Sequence, residues 1–226
     1  MHRHPTEEDH EVTTTSTSRS SGDVAAALAR LGSATIGESG GLAADRRLRP
    51  AWSGAAVAAP AYPVACTPGD NLAVHVGVTT APRGSVLVVD VGRVADRGYW
   101  GEVLTTAAEA AGLAGLVLDG GVRDVAALEA HGFPVFSATI ALTGATKDKP
   151  GTVGVPARVG GVEVALGDWV VADVDGVAFV PGSLLEDVLA AGNGRESKEA
   201  GFFEALKSGS TTVELLGLDA ALVRQS

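Results

Sequence analysis

The chain has 226 residues, enough for one domain with a sizeable core, and 46% of them are hydrophobic, with 30 glycines and few aromatics. A net charge of −10 removes any electrostatic basis for binding nucleic acid or an anionic membrane, so an anionic ligand needs a local inversion of charge by a metal ion or an arginine. The single cysteine, Cys66, excludes an internal disulfide and fits a reduced, cytoplasmic setting, and no apolar run reaches the ~18 residues of a membrane span.

Residues 1–22 are polar, Ser/Thr-rich and nearly free of apolar side chains, which predicts a disordered tail; its histidines, His2, His4 and His10, read as solvated. Its first residues lack the basic-then-apolar order of a signal peptide. Residues 23–226 read as a single folded α/β domain with a C-terminal helix and arm. Asp23 is placed to cap a short helix closed by Gly32, and "ATIGESGGLA" gives a second helical turn ended by a glycine pair. "GAAVAAPAYPVAC" reads as extended chain, and Asp70 or Asn71 as the cap of a helix through His75. "GSVLVVDVG" and "LVLDGG" are short apolar runs bounded by glycine, the signature of buried strands. Each leads into a helical pattern, "GEVLTTAAEAAGLAG" and "DVAALEAHGF", and "PVFSATI" is the next strand. That rhythm predicts a central βαβ layer with parallel pairing. Val- and Gly-rich chain from residue 151 to 181 predicts a second half of short strands. A helix follows, with a break expected at Gly192-Asn193-Gly194, and "STTVELLGL" reads as a final strand or extended arm.

Ligands of α/β sheets collect at the carboxyl ends of the strands. Two loops meet that description, one through "DRGYWGEV" and one in "LDGGVRD", and adjacent parallel strands would gather Glu102, Asp119, Arg123 and Asp124 at one mouth. The amides of Gly101, Glu102, Val103 and Leu104 open a helix there and suit a carboxylate. Arg123 can grip the same anion in a fork. Carboxylate ligands that leave water positions open suit Mg²⁺ or Mn²⁺. A structural reading stands beside this one: Arg123 pairs with Asp119 at a strand end, and Asp124 caps the helix that follows it. His75 reads as a packed or hydrogen-bonded histidine, Cys66 as a small buried residue, and Asp173 and Asp175 as part of a hairpin turn rather than a calcium loop. Trp100 either walls the site or covers the helix start.

An acidic residue, twenty residues, then Arg-Asp is the spacing of Glu102 and Arg123-Asp124. With "PGDNLAVH", "GSVLVVDVG", "LVLDGGVRD", "GFPVF", "GDWVVADVDGVAFVP" and "KEAGFFEALKSGSTTVELLGL" in order, the chain resembles, over about residues 24–218, the family of the regulator of ribonuclease activity A. That family includes class II pyruvate aldolases acting on 4-hydroxy-4-methyl-2-oxoglutarate and 4-carboxy-4-hydroxy-2-oxoadipate. The resemblance implies a swivelling β/β/α domain that assembles as a homotrimer or dimer of trimers. It implies a metal-dependent lyase that cleaves a 4-hydroxy-2-oxo acid to pyruvate, with oxaloacetate decarboxylation as a side activity. Asp124 would bind the metal, Glu102 would hold it through water, and Arg123 with the backbone of residues 101–104 would hold the oxo acid. Glu199 would reach a neighbouring subunit's site. The chain departs from many of the aldolases at Ala127, where they carry a further acidic residue. Lys147 and Lys149, in "TKDKP", read as exposed and unsuited to a Schiff base. The other role found in the family, a non-catalytic protein that masks a ribonuclease, shares the same signature.

Overall fold

The strands at the centre of the sheet have no polar face. In the computed structural model, which describes residues 19–92, 94 and 96–224, β4 (Val86–Asp90) and β6 (Gly115–Val122) are buried almost end to end. They pair in parallel, with β3 (Val57–Cys66) beyond β4 and β7 (Val135–Ile140) beyond β6. Alternation along these strands feeds two cores. Leu87, Val89, Leu116 and Leu118 point into one cluster, Val86, Val88 and Val117 into the other.

The first cluster is covered by α2 (Leu72–Thr80), α3 (Glu102–Ala111) and α4 (Val125–His131), through Val74, Leu104 and Leu128. Each of these fully enclosed side chains contributes about 1.5–3 kcal/mol. The second cluster is closed by antiparallel strands. β11 (Trp169–Asp173) joins the outer edge of β3 and pairs with β12 (Gly176–Val180), which carries the two-residue β1 (Leu42–Ala43). The similarly short β2 (Arg49–Pro50) sits on β7, and β5 (Gly98–Trp100) and β8 (Gly151–Val153) attach to β6 and β3. A separate hairpin, β9 (Ala157–Val159) with β10 (Val162–Val164), lies over the second core. The result is a curled mixed sheet with helices, the β/β/α architecture expected from the sequence.

Helix α1 (Ser21–Glu38) packs with α5 (Leu185–Lys207) on the outer face of β11 and β12, through Leu28, Ile36, Leu189 and Val180. The cap of α1 is Ser20, not Asp23: the Ser20 hydroxyl accepts from Asp23 N at 3.2 Å and donates to the Asp23 carboxylate. The expected tail of residues 1–22 lies largely outside the described residues, but Ser21 and Gly22 already belong to this helix. Gly32 (φ 77°) does interrupt it, and Asp173 then accepts from Ser33 N at 2.7 Å and Ser33 Oγ at 2.6 Å, restarting the second segment. Asp173 is therefore a helix cap and hairpin residue.

Two expectations in the C-terminal region are corrected. The break at Gly192-Asn193-Gly194 does not occur, and α5 runs through it. A Cβ at Gly192 would stand 2.8 Å from Leu31 Cδ1, so this glycine lets two helices approach closely. The segment expected to be a strand or arm forms a short helix, α6 (Thr212–Leu216). Thr211 and Glu214 cap it reciprocally, a pairing that outweighs the β-preference of Thr and Val in so short a stretch.

Candidate active site

Strand β5 runs beside the end of β6, with Gly98 opposite Gly121 and Trp100 opposite Val122, and Arg123 N donates to Trp100 O at 2.9 Å. This pairing brings the start of α3 against the end of β6. Arg123 and Asp124 line a cleft of about 200 Å³ with Gly98, Gly101, Val103 and Leu104. Tyr99 and Trp100 form part of its wall. Trp100 is buried, donates from Nε1 to Thr105 Oγ1 at 2.7 Å and stacks on Phe133 with ring centroids 6.1 Å apart. It both walls the cleft and covers the helix start.

Asp124 adopts a left-handed conformation (φ 58°, ψ 35°), the one non-glycine residue among those described with positive φ. Its carboxylate does not cap its own helix. Instead Oδ2 accepts from Glu102 N at 3.1 Å, across the cleft at the start of α3. Glycine at 101 is required by this approach, because a Cβ there would overlap Asp124 Oδ2 and stand 3.1 Å from Arg123 Cγ. In the first turn of α3 the amides of Val103 and Leu104 have no carbonyl one turn back, which leaves donors at the cleft. The Glu102 side chain is 57% exposed and does not line the cleft; its Oε1 lies 3.8 Å from His131 Nε2 on α4.

Asp119 is corrected: it is not at this mouth. Its carboxylate, nearly fully buried, accepts from Arg47 Nε at 3.0 Å and from Gly160 N at 3.0 Å. It fastens the segment between β1 and β2, and the β9–β10 hairpin, to the middle of the sheet. The structural reading of Arg123 fails with it, since Asp119 is taken by Arg47; Asp124 does stand at the N-cap position of α4, where its backbone carbonyl accepts from Leu128 N, but its side chain makes no capping bond. The role of Arg47 left no signal in the sequence, where it is one of three arginines in "DRRLRP".

The far side of the cleft is a loop carrying Gly144, Ala145 and Lys147. Asp70, 1% exposed, holds it in place. Its carboxylate accepts from Thr146 Oγ1 (2.7 Å), Asp148 N (2.7 Å) and Lys149 N (3.1 Å), and from Leu72 N (2.8 Å). Burial alone would raise its pKa, but these bonds outweigh it and hold the carboxyl well below the usual range. Cys66 is pushed up to about 12, chiefly by burial. Among the described residues no three His, Cys, Asp or Glu side chains are grouped to hold a metal.

The family profile described as Aldolase/RraA (RraA-like) matches residues 21–179. The chain belongs to the Aldolase/RraA family. A relative from Halalkalibacterium halodurans, provisionally named 4-hydroxy-4-methyl-2-oxoglutarate aldolase, is 37% identical over 133 residues, which is 59% of this chain and 63% of that protein. The match thus spans less than two thirds of that relative. Among solved structures, an uncharacterized protein from Pseudomonas syringae superposes with a TM-score of 0.78 at 26% identity, covering 88% of this chain and 94% of the other. RraAS2 of Streptomyces coelicolor, described as an unusual member of the RNase ES inhibitor RraA protein family, gives 0.69 at 26% identity, covering 85% and 99%.

A further residue named from the sequence does not join the cleft within its own chain. Glu199 is on α5, does not line the cleft, and pairs with Arg195 at 2.8 Å, which also meets Glu38. The helix that carries it is buried only near its start, at Val188, Leu189 and Gly192. Phe203, Leu216, Leu218 and Leu222 beyond it are exposed. No helix among the described residues is long and apolar enough to cross a membrane.

Proposed function

We propose that this protein is a divalent-metal-dependent lyase that cleaves a 4-hydroxy-2-oxo acid to pyruvate and a carbonyl product. The observation that carries this reading is the Asp124–Glu102 amide contact. It turns the carboxylate away from its own helix and into a cleft shared with Arg123 and the open turn of α3. The donor set fits a hard, hydrated cation. Asp124 offers a carboxylate whose Oδ1 makes no hydrogen bond among the described residues, the Glu102 carboxylate stands outside the cleft, and the described residues hold no cluster of three His, Cys, Asp or Glu. Mg²⁺ or Mn²⁺, which keep most of their waters, suit so sparse a set. When bound, such an ion withdraws electrons from the oxygens of the oxo acid.

The chain's own residues do the rest. The amides of Val103 and Leu104 and the guanidinium of Arg123 hold the 2-oxo acid end. The 4-hydroxyl passes its proton to a water in the cleft, its oxygen becomes the carbonyl of the departing product as the C3–C4 bond breaks, and the electron pair of that bond forms the enolate of pyruvate. Arg123 faces the charge that develops on the enolate oxygen, an interaction strongest in the transition state. Protonation at C3 then gives pyruvate. Oxaloacetate decarboxylation passes through the same enolate and is the expected side activity.

The bare apolar end of α5 and α6 supports assembly as a homotrimer or dimer of trimers, in which Glu199 of one subunit completes the site of the next. Likeness to RraAS2 keeps a second reading in view, a non-catalytic regulator that masks a ribonuclease. Pyruvate release from oxaloacetate and from a 4-hydroxy-2-oxo acid decides between them. Turnover should vanish in excess EDTA and return with Mg²⁺ or Mn²⁺. Full turnover in chelator sinks the metal-dependent reading, and no turnover under any condition favours the regulator.

A further inference from the structure

Asn71 and His75 stand one turn apart at the start of α2, and both line the cleft. Each keeps a buried polar atom without a partner, Asn71 Oδ1 and His75 Nε2. Among the described residues the other such side-chain atom is Ser39 Oγ, which is not part of the cleft. Buried polar groups are ordinarily bonded, so two orphans on one wall of one cleft ask for a ligand.

The chemistry of the two atoms says which kind. The amide of Asn71, 5% exposed, is fixed in orientation, because Nδ2 donates to Tyr99 O at 2.8 Å and a carbonyl can only accept. Oδ1 is therefore the free end, and it needs a donor. Burial pushes the His75 pKa down, Lys147 pushes it further, and Asp70 works the other way, so the ring is favoured neutral. A neutral imidazole nitrogen is either a donor or an acceptor, and its tautomer adapts to what it meets. An acceptor beside an adaptable nitrogen suits a hydroxyl, which donates and accepts. A carboxylate, which only accepts, would face Asn71 Oδ1 unfavourably. Anion-binding groups lie elsewhere in the cleft, at Arg123, Lys147 and the first turn of α3.

We propose that Asn71 Oδ1 and His75 Nε2 form a hydroxyl-binding subsite that takes the carbinol of a hydroxylated oxo acid. The inference rests on the lyase reading and deepens it. The hydroxyl donates to Asn71 and pairs with His75, which orients the O–H bond whose proton must leave. It also makes the site selective, because an analogue without the hydroxyl leaves both atoms unpaired.

The test uses two reactions on the same samples: cleavage of 4-hydroxy-2-oxoglutarate, and decarboxylation of oxaloacetate, which forms the same enolate but brings no carbinol. In Asn71→Ala and His75→Ala, the ratio of cleavage to decarboxylation should fall by ~10²-fold, and His75→Gln should recover part of it. A constant ratio, with both rates falling together or neither changing, overturns the subsite in favour of a structural role. A second arm needs no turnover. With EDTA present and ligand at high concentration, so that the hydroxy acid is not consumed, 4-hydroxy-2-oxoglutarate should raise the wild-type Tm more than 2-oxoglutarate, and the variants should lose that preference. Equal shifts in the wild type overturn the subsite. A wild type that turns over neither substrate overturns the lyase reading instead, while the thermal shifts still judge the subsite.

Discussion

Arg123 is held loosely by its own chain. Its guanidinium approaches one carboxylate, Asp124, at 3.8 Å, and its side chain is 46% exposed. Exposed pairs of this kind contribute about 0–1 kcal/mol, so Arg123→Ala should stay folded. If the cation stabilises an enolate, kcat should nevertheless fall by ~10²–10³. Arg123→Lys should also be poor, because lysine keeps the charge and loses the planar fork. Tm and steady-state pyruvate release on one sample check this; a folded alanine variant with near-normal kcat would remove Arg123 from the reaction. At this scale the sequence made legible that Glu102 and Arg123-Asp124 meet, because their spacing survives in one dimension, and the structure brings Glu102 N to Asp124. It read Asp70 or Asn71 only as the cap of α2, where Asp70 does accept from Leu72 N, and was silent on Arg47; the rest of their meaning lies in partners far along the chain: Asp148, Tyr99 and Asp119. It was misleading on Asp119, since alternation along a strand separates residues that read as neighbours.

At the scale of elements, one carboxylate adds to the backbone bonds that hold the loop over the cleft. Asp70 bonds three groups between residues 146 and 149, so Asp70→Ala should lower stability by roughly 2–4 kcal/mol and speed amide exchange in that loop. The sign of the pH effect follows from the depressed pKa. The stabilisation is fully present above the unfolded value of about 4 and is lost as pH falls through the folded value. The Tm gap between wild type and variant should therefore be full and steady above about pH 4 and narrow as pH falls below it; a gap unchanged in acid would count against it. Strand and helix order in the βαβ layer was legible because buried parallel strands are continuous apolar runs bounded by glycine. Glycine was ambiguous elsewhere. Gly32 breaks its helix, whereas Gly192 lets α5 pass close to Leu31, and composition alone does not distinguish a hinge from a contact.

At the scale of the whole molecule, the far part of α5 and the α6 region carry exposed apolar side chains, Phe203, Leu216 and Leu218 among them. If Glu199 serves a neighbour's cleft, subunits defective in different halves of the site should complement. Asp124→Asn and Glu199→Ala proteins, each nearly inactive alone, should recover up to about a quarter of wild-type activity per site when unfolded together and reassembled, the share of interfaces that pair two intact halves. No recovery in mixed, correctly sized oligomers would mean that each site is built from one chain. The sequence showed the charge of this region through "RESKEAGFFEALK" but not its exposure, which depends on where α1 stops covering α5.

The left-handed backbone of Asp124 sets protein lifetime against chemistry. A non-glycine residue in that conformation costs on the order of 1 kcal/mol, and asparagine and glycine tolerate it better than most. Asp124→Gly gives up the bond to Glu102 N and relieves the strain, two effects of similar size, so Tm should move by no more than a few degrees while turnover disappears. A population of variants propagated for heat resistance alone would therefore let aspartate drift from position 124 unpunished. Its persistence under selection for growth on a hydroxylated oxo acid, and its loss without that demand, would measure in generations what the strained turn is worth to the cell.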